Sequence, residues 1–132
     1  STSGRIVMSV LGLGTDIVEI VRVSNALVKS NRLAERVLTE TEMTQFLNHS
    51  QPDRFLAKRW AAKEAAAKAL GTGIGRGISF HHFQISNDDL GAPSILLLDA
   101  AKEAANQKGV NAALISISDE QHYALATVVL SA

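Results

Sequence analysis

Residues 52–70 read PDRFLAKRWAAKEAAAKAL, and this stretch predicts the long helix on which the fold is built. Pro52 and Asp53 suit a first helical turn after Ser50 as N-cap, and alanine and other good helix formers fill the middle. Gly71 can adopt the left-handed conformation that commonly ends a helix. We therefore expect a helix of about five turns, at roughly 3.6 residues per turn.

One face of this helix carries Ala57, Ala61, Glu64 and Lys68, which lie three or four residues apart. A carboxylate and an ammonium therefore emerge from a face made otherwise of alanine, whose small side chains let a ligand or a second backbone come close. The alternative is an ordinary surface ion pair, which stabilises a helix by roughly a few tenths of a kcal/mol. Spacing alone favours the surface pair.

Upstream of the helix, residues 6–17 are apolar, β-branched and interrupted by Gly12 and Gly14. This pattern predicts a strand that becomes irregular near the glycines, which allow close backbone approach. Asp16 then lies at or near the end of the strand, where an aspartate is usually a turn or cap residue. Together with Glu64 it could hold magnesium, which takes one or two carboxylates and completes its shell with phosphate oxygens and water.

A glycine-rich loop, GTGIGRG, follows the helix at residues 71–77. It differs from a P-loop, which precedes its helix and ends in Gly-Lys-Ser/Thr. A C-terminal cap and flexible exit is the favoured interpretation, although free amides in such a loop can bind an anion. Lys68 and Arg76 are the nearby cations.

The rest of the chain predicts helices and strands in mixed order. Residues 18–47 are helical in short pieces, with a break at Ser30-Asn31 and a helix start signal at residues 39–42. Strands are expected over 79–86, 95–98, 110–118 and 122–130, and a short helix over 99–108 with Asp99 as its cap. The expected class is α+β, with a mainly antiparallel sheet packed on the one long helix.

Composition bounds the class of protein. The chain has 132 residues, 46% hydrophobic and 20% charged, which fits a single domain over residues 6–132 after a disordered or added end at 1–5. It has no cysteine, which excludes disulfides and thiolate metal sites and suits the cytoplasm. Apolar runs are too short to span a membrane and the net charge is zero, so we expect binding to neither membrane nor nucleic acid.

One basic patch lies between residues 20 and 37. Arg22, Lys29, Arg32 and Arg36 stand there against the single acid Glu35, and their spacings place them near one helical face. Such a patch can bind an acidic partner, and the alternative is a solvated helix surface.

The histidines argue against other chemistries. His81 and His82 are adjacent on a predicted strand, so we expect their side chains on opposite faces, where they cannot share a metal. Neither a His-x-x-x-His nor a Gly-x-Ser-x-Gly sequence occurs, so a zinc hydrolase or a nucleophile-elbow hydrolase has no support.

Two segments together resemble the signatures of the holo-acyl-carrier-protein synthase family, the short bacterial 4′-phosphopantetheinyl transferases. They read GLGTDIVEI at residues 12–20 and RFLAKRWAAKEAAAKALGTG at residues 54–73, and the similarity extends through residues 32–39 and 116–124. The resemblance implies a 4′-phosphopantetheinyl transferase-like fold. It also implies transfer of 4′-phosphopantetheine from coenzyme A to a serine of apo acyl carrier protein, releasing adenosine 3′,5′-bisphosphate, in fatty acid biosynthesis.

The resemblance implies roles for particular residues. Asp16 and Glu64 fall on metal-ligand positions, for magnesium or alternatively manganese, and Lys68 falls on a lysine beside the coenzyme A phosphates. These three are the implied catalytic residues. The other positions near the coenzyme are implied to be Arg59, Gly71, Thr72 and Gly73.

The family also implies partners. Its acidic carrier protein would dock on Arg22, Arg32 and Arg36, and its members form homotrimers with active sites at subunit interfaces. Some members have a histidine near the nucleotide where this chain has Asp119. From the residues alone, two rival functions stay open: a coenzyme-binding module without transfer activity, and a structural domain in which Glu64 and Lys68 form a surface pair.

Overall fold

The structure is a computed structural model that describes residues 9–132. The predicted loose end at residues 1–5 and the start of the first predicted strand lie outside these residues. The strands are β1 (Val10–Glu19), β2 (Phe83–Asn87), β3 (Pro93–Leu97), β4 (Ala112–Asp119) and β5 (Tyr123–Ser131). The helices are α1 (Ile20–Lys29), α2 (Arg32–Val37), α3 (Glu40–Leu47), α4 (Pro52–Leu70) and α5 (Asp99–Gln107).

The predicted α+β class is confirmed. β5 lies between β1 and β4 in a three-stranded antiparallel sheet, and β2 pairs with β3 in a second antiparallel sheet. The long helix α4 packs against β1 and β5, and its buried side chains form the centre of the hydrophobic core. None of the helices within residues 9–132 combines the length and the apolar character needed to cross a bilayer.

Helix α4 has the predicted bounds. Its N-cap is Gln51 and not Ser50, which lies one residue too far from Pro52 to occupy that position. Gly71 ends the helix in the left-handed conformation, with φ of 79°.

Two glycines decide how closely α4 approaches β1. A Cβ atom on Gly12 would lie 2.1 Å from the carbonyl oxygen of Ala69, and one on Gly14 would lie 2.0 Å from that of Ala65. No side chain fits in that space, so helix backbone rests directly on strand backbone, as the glycines predicted. The strand is less irregular than expected: its register shifts only between Val10 and Gly12, and it then pairs continuously to Glu19.

The region after α4 differs from the prediction at its start. Phe80–His82 forms a 3-10 turn, and the strand begins only at Phe83. The cause is local, because the Ser79 hydroxyl accepts from the His81 amide and His82 Nδ1 accepts from the Ser79 amide at 3.1 Å. The expectation that His81 and His82 alternate on a strand is therefore wrong. Asp99 is the first residue of α5 and not its cap, a position that Leu98 takes.

The three-stranded sheet has one face on α4 and one facing away from it. The outward face carries several large hydrophobic side chains, interrupted by Thr15 and Thr127 and, on β4, by Ser116 and Ser118. The exposed members of this outer sheet face are Leu13, Ile17, Leu114, Tyr123 and Leu125. A face of this kind is typical of a surface covered by another protein chain.

Candidate functional site

The contact between α4 and β1 brings Asp16 and Lys68 together. Lys68 Nζ donates a hydrogen bond to Asp16 Oδ1 at 2.9 Å and another to the carbonyl oxygen of Thr15 at 3.0 Å. Asp16 follows Gly14 on the same side of the strand, where the missing side chain lets the helix come close. Two segments far apart in the sequence therefore share one site.

Glu64 lies one helical turn before Lys68 and belongs to the same site. Burial and the neighbouring Asp16 carboxylate raise the pKa of Glu64, while Lys68 and Arg36 oppose the rise. Both carboxylates lie beside Lys68, to which Asp16 is hydrogen-bonded and from which Glu64 is one turn away. The indole of Trp60, one turn earlier, also opposes the rise in the pKa of Glu64.

The donor atoms suit a hard divalent cation. Asp16 and Glu64 offer carboxylate oxygens with a mutual repulsion that a cation would relieve, and magnesium prefers such ligands. Across residues 9–132 no cluster of three or more His, Cys, Asp or Glu side chains is arranged to hold a metal. Two carboxylates leave most of an octahedral shell for the oxygens of a phosphorylated ligand and for water.

The first residues of the glycine-rich loop close the helix. The amides of Thr72 and Gly73 donate to the carbonyl oxygen of Ala67 at 3.2 and 3.1 Å, and the amide of Gly71 donates to that of Lys68 at 2.9 Å. The interpretation of this segment as a C-terminal cap is therefore confirmed. The amides of residues 71–73 are therefore occupied and are not free to bind an anion.

Arg59 lies on a different face of α4 from Glu64 and Lys68. The residue is 5% exposed, and its guanidinium stacks over the Phe55 ring at 4.7 Å and donates from Nη2 to Asn87 Oδ1 at 3.1 Å. Its Nε has no hydrogen-bond partner among the residues the structure describes. A buried cation that bonds only neutral amides and keeps a spare donor is suited to an anionic ligand.

A pocket of about 510 Å³ opens beside Arg59. Lys58 and Asp119 also line it, and Asp119 Oδ2 accepts from Arg54 Nη1 at 2.8 Å while its Oδ1 lies 3.7 Å from Lys58 Nζ. Phe55, Pro93 and Ile117 supply apolar lining. Neither carboxylate of the α4–β1 site lines this pocket. Within a single chain, Arg59 therefore faces a different cavity from the site of Asp16 and Glu64.

The basic patch is divided between two helices. Arg22 lies on α1 and Arg32 and Arg36 lie on α2, because the chain breaks at Ser30-Asn31. The expectation of one helical face is therefore wrong, but the three side chains are exposed as predicted. Arg36 stacks over Phe80 at 5.3 Å and is close enough to Glu64 to lower the pKa of that carboxyl. The patch therefore reaches the site.

A buried ion pair was not foreseen from the sequence. Lys63 and Glu42 are both wholly buried, and Lys63 Nζ donates to Glu42 Oε1. Thr39 and Glu42 form a capping box at the predicted start of α3. A role in capping α3 already explains why a glutamate stands at position 42. No spacing in the sequence indicates that Glu42 also pairs with Lys63.

The chain resembles known proteins over most of its length. Residues 12–128 match the sequence profile of the 4′-phosphopantetheinyl transferase superfamily. A holo-(acyl-carrier-protein) synthase of Shewanella pealeana is 57% identical over 128 residues, which cover 92% of this chain and 98% of the relative.

Two solved structures extend this similarity to the fold. The holo-(acyl-carrier-protein) synthase of Neisseria meningitidis matches with a TM-score of 0.85 at 39% identity, covering 92% of this chain and 98% of that one. The enzyme of Bacillus anthracis, solved in complex with CoA (3′,5′-ADP), matches with a TM-score of 0.78 at 36% identity, covering 96% and 99%.

Proposed function

The chain belongs to the 4′-phosphopantetheinyl transferase superfamily, and we propose that Asp16 and Glu64 hold the divalent cation with which it acts as a holo-(acyl-carrier-protein) synthase. In the reaction, the serine oxygen of the carrier protein bonds to the phosphorus that bears the pantetheine arm. The bond from that phosphorus to the bridging oxygen breaks, the serine proton is lost, and adenosine 3′,5′-bisphosphate leaves.

One observation carries the proposal. Lys68 bonds to Asp16 at 2.9 Å, and Asp16 in turn raises the pKa of Glu64, so two carboxylates and an ammonium share one partly exposed site. A cation bound to the two carboxylates, magnesium or manganese, would neutralise charge on the diphosphate and on the leaving group. Lys68 adds a positive charge beside the same phosphates, and Glu64 with its raised pKa is a candidate to accept the serine proton.

The adenosine bisphosphate end of coenzyme A is assigned to Arg59 and its pocket. The guanidinium has a spare Nε donor and no carboxylate among its hydrogen-bond partners, which favours a phosphate. The loop at residues 71–73 borders Lys68 and would contact the diphosphate end of the coenzyme. Since Arg59 and Glu64 face different ways in one protomer, a coenzyme that contacts both would bridge two subunits.

An assembly with interfacial sites fits this separation. The outer sheet face, Leu13, Ile17, Leu114, Tyr123 and Leu125, is apolar and exposed in the isolated chain. We assign it to contacts between subunits of a homotrimer, because burial of such a patch favours association.

The acidic carrier protein is assigned to the exposed arginines of α1 and α2. Arg36 lies nearest the catalytic carboxylates, so a carrier docked on Arg22, Arg32 and Arg36 would bring its serine toward Glu64. Charge complementarity of this kind mainly accelerates and orients association. We place the enzyme in the cytoplasm on the family resemblance.

Mass spectrometry of an apo acyl carrier protein incubated with the enzyme, coenzyme A and magnesium tests the function. Addition of the phosphopantetheine mass, abolished by a chelator and restored by magnesium, is the expected result. Coenzyme A binding without any mass addition would identify a binding module instead. Mass addition that is indifferent to the chelator would disprove the metal assignment and leave the transfer activity standing.

A further inference from the structure

Helix α2 presents two of the docking arginines, yet it has only six residues. A helix this short is unstable on its own, so contacts from the rest of the protein must fix its position. Ala34 and Val37 are its buried side chains, and Leu33 packs against the core while partly buried. Apolar packing of this kind has little directional preference, so the polar contacts of its C-terminal end add a directional constraint on where Arg32 and Arg36 lie.

Two side chains from other elements bond to the last carbonyl groups of α2. Lys63 Nζ, from α4, donates to the carbonyl oxygen of Val37 at 2.7 Å. His81 Nε2, from the 3-10 turn, lies 2.8 Å from the carbonyl oxygen of Glu35, and it must donate because that oxygen can only accept. Donors at this end satisfy free carbonyl groups and meet the negative end of the helix dipole.

Glu42 fixes the Lys63 side chain. Its Oε1 accepts from Lys63 and from the Thr39 amide at 2.9 Å, and its Oε2 accepts from the Ile85 amide at 2.8 Å. The carboxylate is therefore held by α3 and β2 as well as by α4. With both charges wholly buried, the ammonium has one well-defined position from which to hold Val37.

We propose that Lys63 and His81 are positioning residues for the carrier protein: they anchor the C-terminal end of α2 so that Arg32 and Arg36 face the docked partner. This inference rests on the proposed function. The position of Glu64 does not depend on the same anchors, because α4 is seated on β1 through Gly12 and Gly14. Loss of an anchor should therefore affect carrier recognition and spare the coenzyme site.

Three variants test the assignment with the mass-addition assay used as a rate measurement. Lys63→Met keeps most of the aliphatic volume and removes both hydrogen bonds of the ammonium. His81→Ala removes the exposed anchor and leaves the core untouched. Lys102→Met, on the exposed side of α5, is the matched control for loss of a lysine charge.

The expected result is a split between the kinetic constants. KM for the carrier should rise about tenfold in Lys63→Met and about threefold in His81→Ala, since misplacement of docking groups weakens productive binding. KM for coenzyme A should stay within about twofold of wild type in both variants, and Lys102→Met should leave both KM values unchanged. Cooperative thermal unfolding establishes that each variant is folded.

Other outcomes overturn the inference. A folded Lys63→Met with wild-type KM for the carrier shows that the buried pair serves stability alone. Equal losses for carrier and coenzyme show a general disturbance of the active site. If Lys63→Met fails to fold, His81→Ala decides: an unchanged KM for the carrier rejects the anchoring role. Absence of transfer by the wild-type enzyme would instead reject the proposed function.

Discussion

Lys68 Nζ lies 2.9 Å from Asp16 Oδ1, so the last turn of α4 and strand β1 meet through a charge pair. The lysine side chain is 52% exposed. An ion pair this accessible to solvent stabilises a fold by about 1 kcal/mol or less. Its main effect is therefore to bring opposite charges together beside Glu64.

Glu64→Gln should abolish transfer and preserve the fold. The amide has the shape of the carboxylate but not its charge, so cation binding is weakened and we expect activity to fall by at least about a hundredfold. Mass spectrometry of the carrier protein measures the loss, and thermal unfolding checks the fold. Glu103→Gln, on the exposed surface of α5, is the control. Near wild-type transfer by Glu64→Gln with magnesium present would contradict the metal assignment.

Glu64→Gln should also change how the thermal stability of the protein depends on pH, measured with a chelator present so that no metal is bound. Burial and Asp16 raise the pKa of Glu64 above its ordinary value of 4.5, so the folded protein holds this proton more tightly than the unfolded chain does. The resulting stabilisation is present at low pH and is lost as pH rises from 4.5 through the folded pKa. Glu64→Gln should therefore melt at a higher temperature than wild type at neutral pH, with a smaller difference in acid. A difference of equal size at both pH values would show that Glu64 is not held in a repulsive site.

Arg59→Met should weaken coenzyme A binding by about tenfold, because the pocket loses its buried cation. Isothermal titration with coenzyme A measures the dissociation constant without any need for catalysis. Arg59→Lys keeps the positive charge but has fewer hydrogen-bond donors. Its dissociation constant for coenzyme A should lie between those of wild type and Arg59→Met. If both variants bind coenzyme A as wild type does, the nucleotide does not lie in this pocket.

Arg22→Glu should weaken binding of the acidic carrier protein most strongly at low ionic strength, since salt screens exposed charges. Coenzyme A binding should be unaffected, because α1 does not contribute to the coenzyme pocket. Lys102→Glu makes the same charge change on α5 and is the control. A loss that is independent of salt, or one shared by the coenzyme, would point to misfolding.

Leu114→Glu should convert the proposed homotrimer to smaller species. It puts a charge on the outer sheet face, where burial against another subunit would be costly. Sedimentation velocity measures the effect. Leu96→Glu, which places the same charge on an exposed leucine of β3, should leave the assembly intact. A wild-type protein that sediments as a monomer would refute the assembly itself.

Elements with a strong local signal were predictable from the sequence. The bounds of α4 follow from Pro52, its alanines and Gly71, and the start of α3 follows from the Thr39–Glu42 capping box. Contacts between residues far apart in the sequence were not predictable in this way. The pairing of Lys63 with Glu42 depends on how α3 and α4 cross, which no local pattern encodes.

The candidate site shows the same division. Gly12 and Gly14 indicated a close approach, but only the packing of α4 on β1 determines that Asp16 meets Lys68. Arg59 is close in sequence to Glu64, and helical geometry nevertheless turns it toward a different pocket. The prediction that the arginines share one helical face was wrong, because a two-residue break reorients the chain between α1 and α2.

The glycines under α4 have a consequence for tolerance to mutation. Where main chain touches main chain, the spacing depends on the absence of a side chain at these two positions. A single methyl group at position 12 or 14 would act as a wedge, lifting the helix and carrying Glu64 away from Asp16. The geometry of the reaction centre is thus vulnerable at two positions that carry no functional group.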